Sequence, residues 1–314
     1  MSDVRGPYRI TCDDIASINN VFSEAFTERY RRDGMVGVRV PTLNPSIWQF
    51  SLEDAAEGAM LWRDAMGEIA AFNVAHRSGG EGWMGPLAVR PDLQGRGLGK
   101  TIVRAGIDWL RASGACVIGL ETMPRTIDNI GFYSSLGFVA GRLTVTFTLE
   151  SAAAEPVDRL GRYGASERES LIAECAALTK AHQPSYDFTR EIELTASLGL
   201  GDTVLLRDGS DVVGFAVCHS APLVEGRARE ELRVLKVVLA DACHAPKLAT
   251  VLAAHAREAC TQRAAIRVQS DYESVFRDIV KCGGRVRWTD LRMTLAEYPE
   301  RKPANGVVLS NWEI

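Results

Sequence analysis

No segment constrains this chain more than Val89-Arg-Pro-Asp-Leu-Gln94-Gly95-Arg96-Gly97-Leu98-Gly99-Lys100-Thr101. It joins an apolar run, Trp83 to Val89, that reads as a strand to a helix running from Gly99 to Ser113. In that helix Leu98, Ile102, Ala105, Trp109 and Leu110 share one face. Three glycines in five residues cost conformational entropy that an ordinary strand-to-helix connection does not need. They let the backbone curl until successive N–H groups point into one concavity, and the helix start adds positive potential. A loop of this kind holds phosphate.

Three phosphate-binding patterns compete for it. A dinucleotide site needs G-x-G-x-x-G directly after its strand; here the glycines run G-x-G-x-G and five residues separate Val89 from Gly95. A P-loop needs G-x-x-x-x-G-K-[ST]; Gly99-Lys100-Thr101 fits its end, but Gln94 stands where the first glycine belongs. The third pattern, [Q/R]-x-x-G-x-[G/A], is met in full by Gln94 to Gly99.

That third pattern, the preceding Pro86-Leu-Ala-Val-Arg-Pro91, and Asn129-Ile-Gly-Phe-Tyr133-Ser-Ser-Leu-Gly137-Phe138 together resemble the GNAT N-acetyltransferase superfamily. The likeness covers residues 8 to 149 well and the second half in outline. It implies acetyl-CoA as co-substrate and a primary amine, on a small molecule or a peptide N-terminus, as acceptor. Leu87, Ala88 and Val89 would offer backbone groups to the pantetheine arm. Gln94, Gly95, Arg96, Gly97, Leu98, Gly99, Lys100 and Thr101 would hold the pyrophosphate. Tyr133 corresponds to the tyrosine that protonates the leaving thiolate; as a plain core aromatic it would duplicate Phe132. Glu121, twelve residues earlier, corresponds to the base in members that acetylate a ribosomal protein's N-terminus; a strand-end carboxylate paired with Arg125 or Arg142 is the structural alternative. In that register a cofactor-contacting asparagine falls at Thr126, and the nearest asparagine is Asn129, which suits either the cofactor or a helix cap. Glu24, Glu28, Tyr30 and Trp48 fall in the first two helices, where the family builds its acceptor pocket.

The order of elements occurs twice. Helices follow Thr11 (with Asp14 as capping partner) and Pro45, strands cover 59–64 and 68–76, and after the glycine loop come a strand at 117–121, a helix at 128–136 and strand from 138 to 149. Ser151 to Pro156 reads as a linker. A second round follows: a helix from Ser166 boxed with Glu169, a hairpin across Asp208-Gly209, strand 232–239, helix 246–259, strand 265–269, helix 272–282 and strand 285–295. The expected fold is α/β (α+β): two tandem GNAT-like domains, each a mixed, mainly antiparallel central sheet flanked by helices. Residues 1–150 form the catalytic domain, 157–300 a degenerate one, and 301–314 a strand-like tail. Leu239 to Lys247, where the second phosphate loop would lie, contains no glycine, and Pro246 has no N–H to donate. Ile279 or Val280 stands where the first copy has Tyr133.

A net charge of -4 disfavours a nucleic-acid partner. No run reaches membrane-spanning length, and no apolar signal core opens the sequence. Seven cysteines without a CxxC pair suit a reducing cytoplasm, and five histidines without metal spacing predict no metal site. A homodimer is compatible with the chain. A non-catalytic acetyl-CoA sensor is the rival reading.

Overall fold

In a computed structural model of the protein, the described residues are 4–153 and 155–313. The start of the first domain (1–3), Ala154 of the linker and Ile314 of the tail lie outside them. The first half runs β1 (Arg5–Arg9), α1 (Ile15–Arg32), α2 (Pro45–Ala55), β2 (Ala59–Arg63), β3 (Ile69–Ser78), β4 (Glu81–Val89), α3 (Leu98–Ala112), β5 (Val117–Thr122), α4 (Ile127–Ser134) and β6 (Phe138–Glu150). The second runs α5 (Ala165–His182), α6 (Thr189–Ser197), β7 (Gly201–Asp208), β8 (Asp211–His219), β9 (Glu231–Leu239), α7 (Ala245–Glu258), β10 (Arg263–Gln269), α8 (Glu273–Lys281), β11 (Arg285–Leu295) and β12 (Val307–Ser310).

Local chemistry sets several boundaries. Thr11 N–H donates to Asp14 Oδ2 at 2.9 Å, closing the box ahead of α1. Asn44 Oδ1 accepts from Ser46 N–H at 3.0 Å, with Pro45 at the first helical position of α2. The box expected at Ser166 and Glu169 does not form: α5 starts one residue earlier, with Gly164 as its side-chain-free cap. Two elements carry no clear sequence signal. β1 is exposed along its length and contains Pro7, and α6 has only nine residues.

The two expected sheets are one. Among the described residues twelve strands are ordered β1-β2-β3-β4-β5-β11-β6-β10-β9-β8-β7, with β12 on β9. The copies exchange their last long strands. β11, from the second half, lies antiparallel between β5 and β6, with Arg292 opposite Glu121 and Thr289 opposite Val145. β6, from the first half, borders β10, with Phe147 opposite Ile266. Helices cover both faces. α3 buries Ile102, Val103 and Leu110 against Met84, Leu120 and the β11 residues Met293 and Leu295. α1 and α2 pack Phe22 and Trp48 on Phe72, while α7 and α8 cover Phe147 and Ile266. Ile47 and Phe50 of α2 meet Leu200 and Leu235 across the seam between the copies.

Each copy has one parallel strand pair that opens partway. β4 and β5 are paired from Glu81–Met84 to Val117–Leu120 and then part. β9 and β10 are paired from Glu231–Arg233 to Arg263–Ala265 and then part. In the second copy β12 fills that opening: Val307 to Ser310 run antiparallel to Leu239 to Lys236. On the other side Tyr272 Oη donates to Val308 O at 3.0 Å and Gln269 Nε2 to Ser310 O at 3.4 Å. The tail therefore joins the second copy's half of the sheet.

Arg292 of β11 sits at the seam with 1% of its side chain exposed. It lies 3.1 Å from Glu121 Oε1, donates to Ser310 O at 2.8 Å and to Glu300 Oε1 at 3.1 Å, and stacks on Trp312 at 3.4 Å. Removing one partner from a buried ionic network leaves the others uncompensated, typically at ~3–5 kcal/mol. Arg292→Met should lower the urea-unfolding free energy by about that amount; an unchanged midpoint and slope would show the network to be energetically neutral.

Candidate active site

The glycine loop curls as its composition requires. Gly95 and Gly97 have φ of +76° and +87°, in the left-handed region, and a Cβ on either would meet nothing within 4 Å. The surroundings are therefore open on the side where a ligand would lie. Gln94 Nε2 donates to Val89 O at 3.0 Å, tying the loop to the end of β4. Gly97 caps α3, and the backbone N–H groups of Gly95 to Gly99 find no protein acceptor among the described residues. Five unpaired donors at a helix start form an anion cradle. Lys100 and Thr101 follow on the exposed side of the first turn.

Beside the loop, Leu87, Ala88 and Val89 pair with Asn73, Phe72 and Ala71 of β3, so only their edge toward β5 is free. A bulge at Gly85 and Pro86, opposite Val74, starts the divergence. It is held by a residue that sequence reading left without a role. His76 Nε2 lies 3.2 Å from Gly85 O, and its Nδ1 lies 2.6 Å from Asp54 Oδ2, with the His76 and Asp54 side chains both buried. The sequence carries no signal for this pair, because Asp54 and His76 sit on a helix and a strand with no motif between them.

Tyr133 is buried between Phe132 and Phe138, with ring centroids at 5.1 and 6.0 Å. Its hydroxyl has no hydrogen-bond partner among the described residues, and burial pushes its pKa up to about 12. The phenol thus stays protonated at neutral pH. Asn129 does not cap α4, whose cap is Thr126; its Nδ2 lies 3.4 Å from Thr122 Oγ1, at the end of β5.

Glu121 is placed at the opening of the strands but is not free there. Its Oε2 accepts from Arg267 Nη2 at 2.7 Å, and its Oε1 accepts from Arg292 Nη1 at 3.1 Å and from Thr144 Oγ1. Neither Arg125 nor Arg142 is the partner: Arg125 reaches Asp33 O, and Arg142 reaches Asp271 at 2.5 Å. Burial raises the Glu121 pKa, but the two arginines and the hydrogen bonds outweigh it and hold the carboxyl below its ordinary value. Its partners lie 146 and 171 residues downstream, beyond any local reading.

Of the four acceptor-pocket residues, Trp48 is corrected outright: it is fully buried between Phe22 and Phe72 and presents no surface to a ligand. Glu28 is occupied by Arg31 and Arg32, each at 2.8 Å, and their hydrogen bonds lower its pKa to about 2. Glu24 is exposed on α1. Tyr30 is half-buried and feels the negative charges of Glu313, Asp290 and Asp33 besides its burial, all of which raise its pKa. Among the described residues no group of three or more His, Cys, Asp or Glu is placed to hold a metal ion.

Residues 17–138 match the model of the acetyltransferase (GNAT) family, a span that includes the loop, the open edge of β4, Glu121 and Tyr133. The likeness to the GNAT acetyltransferases thus lies in the first half of the chain. Over the whole chain, the fold is similar to a putative acetyltransferase from Pyrococcus horikoshii (17% identity, 98% of this chain and 94% of that one, TM-score 0.69). It is also similar to a GCN5-related N-acetyltransferase from Sphaerobacter thermophilus (15%, 96% and 98%, TM-score 0.59). A third likeness is to a tandem GNAT protein from the clavulanic acid biosynthesis pathway (11%, 95% and 100%, TM-score 0.59). No curated protein matches the chain. The GNAT family thus displaces the two nucleotide-binding patterns, and the tandem layout holds across the chain.

The clamp on Glu121 has a pH signature. Because its folded pKa lies below the ordinary value, the stability it contributes is complete above the unfolded carboxylate range. That stability is lost as pH falls through the folded pKa. Glu121→Gln should therefore be less stable than the wild type at neutral pH by ~3–5 kcal/mol, with the two converging in acid. Urea unfolding across pH checks this; a gap that does not narrow in acid would show that the charge is not what Glu121 contributes.

Proposed function

We propose that the N-terminal copy transfers an acetyl group from acetyl-CoA to a primary amine of a small molecule or a peptide N-terminus by direct attack, and that the C-terminal copy binds no cofactor. The observation that carries this reading is the contrast between the two openings. Beside β4 a free strand edge runs into five unpaired N–H groups at a helix start, and beside β9 the same place is taken by β12. A pantetheine arm pairs with a strand edge as an added strand would, and a pyrophosphate suits the cradle. The second copy offers neither: its loop reads Asp241-Ala-Cys-His244, Asp241 Oδ1 already accepts from Cys243 N–H at 2.7 Å, and Pro246 opens α7.

Leu87, Ala88 and Val89 orient the arm, and Gly95 to Thr101 hold the phosphates. Tyr133 donates its proton to the departing sulfur, a task suited to a phenol that burial keeps protonated. The clamped Glu121 favours the rival sensor reading in one respect, since a carboxylate held by two arginines is a poor base. The available phenol weighs the other way. No helix among the described residues is long and apolar enough to cross a membrane.

Two variants separate the roles. Gly97→Glu places a negative side chain in the cradle at a left-handed position. Calorimetry should show acetyl-CoA binding abolished while circular dichroism still reports a folded chain; undiminished affinity would move the cofactor site elsewhere. Tyr133→Phe keeps the ring and removes the hydroxyl. Its kcat should fall roughly a hundred- to ten-thousandfold with acetyl-CoA affinity preserved, whereas full turnover would leave Tyr133 a core aromatic only.

A further inference from the structure

Deprotonation of the acceptor ammonium needs a base that can take up a proton, and Glu121 is held charged by two arginines. A second carboxylate reaches the same guanidinium from the opposite copy. Arg267 donates through Nη2 to Glu121 at 2.7 Å and through Nη1 to Glu313 Oε2 at 2.6 Å, so a single planar group separates the two carboxylates. They differ in access: the Glu121 side chain is 1% exposed and that of Glu313 49%.

We propose that Glu313, carried by the segment that follows β12, is the general base of the N-terminal copy. This rests on the acetyl-transfer reading above and names the residue that completes it.

The segment is fixed, not loose. Ser310 Oγ accepts from Lys236 at 2.7 Å and donates to Glu81 at 2.8 Å; Asn311 N–H donates to Leu235 O at 2.8 Å; Trp312 Nε1 donates to Glu81 Oε1 at 2.8 Å. The Trp312 ring fits against Gly119 of β5, where a Cβ would clash with it. Trp312 O lies 3.5 Å from where a Cβ on Gly85 would stand, at the bulge that opens the first copy's strands. Glu313 therefore emerges beside that opening. It faces Arg267 of β10, Arg233 of β9, Asp290 of β11, Glu121 of β5 and, from α1, Tyr30. α1 is one of the two helices to which the family resemblance gives the acceptor.

Half of the Glu313 side-chain surface is exposed, and with Asn311 and Lys236 the residue lines a pocket at the seam. Burial there pushes its pKa up to about 7, Asp290 and Glu121 pushing the same way and Arg267 and Arg233 pulling against them. A base poised near neutrality can both accept a proton and release it to water. The amine enters as an ammonium ion, and one N–H proton passes to Glu313. The freed lone pair forms the N–C bond at the thioester carbonyl. As the C–S bond breaks, the sulfur takes the Tyr133 proton, and the second amine proton restores the phenol. Glu313 then loses its proton to solvent, so one proton is released per turnover.

The test is the pH dependence of kcat for the full chain, using an acceptor that turns over in an amine panel assayed by CoA release. The wild type should lose kcat on the acid side with an apparent pKa near 7. Glu313→Gln should lower kcat roughly a hundredfold or more and abolish that limb, with acetyl-CoA affinity unchanged. Glu121→Gln should keep the limb. Should the Gln variant fail to fold, Glu313→Asp, which keeps a charge for Arg267 but withdraws it by one methylene, should show reduced kcat with the limb displaced. A wild-type kcat and limb in the variant that folds would overturn the assignment of Glu313 while leaving acetyl transfer standing. Failure of the wild type to acetylate any amine would overturn the acetyl-transfer reading itself.

Discussion

Everything in this molecule turns on the exchange of strands at its centre. β11 lies between β5 and β6, and that placement brings Arg292 against Glu121, with Arg267 joining from β10. Two buried guanidinium groups inside a sheet would be costly alone. They are tolerated because Glu121, Asp290, Glu300 and Glu313 surround them, drawn from both copies and from the segments beyond. The same interleaving makes separate folding of the halves unfavourable: without β11, the first copy loses Met293 and Leu295 from its core, and without β6 the second loses Phe147.

A duplicated fold usually offers two equivalent clefts. Here β12 removes the equivalence by physical occupation. It supplies β9 with the hydrogen-bonding partner that an extended ligand would otherwise provide, and Tyr272 fixes it from the other side. The second copy's missing glycines are consistent with this, since a loop with no phosphate to hold has no need of a left-handed curl. On the proposed reading the second copy contributes structure instead: Arg267, Asp290 and Arg292 to the seam, and beyond β12 the carboxylate of Glu313 beside the opening of the first.

Much of this was legible in the sequence. The loop at Gln94–Gly99, the amphipathic α3 and the Asn129–Phe138 segment carry their structure in local spacing, and the tandem order of elements is periodic enough to read. What could not be read is what depends on distant pairing. Trp48 looks like a pocket aromatic in a short helix, yet tertiary packing turns it inward onto Phe72. Glu121 has plausible arginines close in sequence, but the sheet order brings arginines from the far half of the chain instead. The polar tail Ser310-Asn-Trp-Glu313 gives no hint that it is the seam's keystone, because its hydrogen bonds reach residues at least 41 positions away, apart from those inside the segment and Arg292 at 18.

The central claim is that one cleft works and its twin is filled by the protein's own strand. A crystal structure of the full chain with acetyl-CoA tests it most directly. The account predicts a single cofactor per chain, its pantetheine along Leu87 to Val89, its pyrophosphate at Gly95 to Gly99, and β12 still paired with β9. Cofactor bound between β9 and β10 with β12 displaced would contradict it.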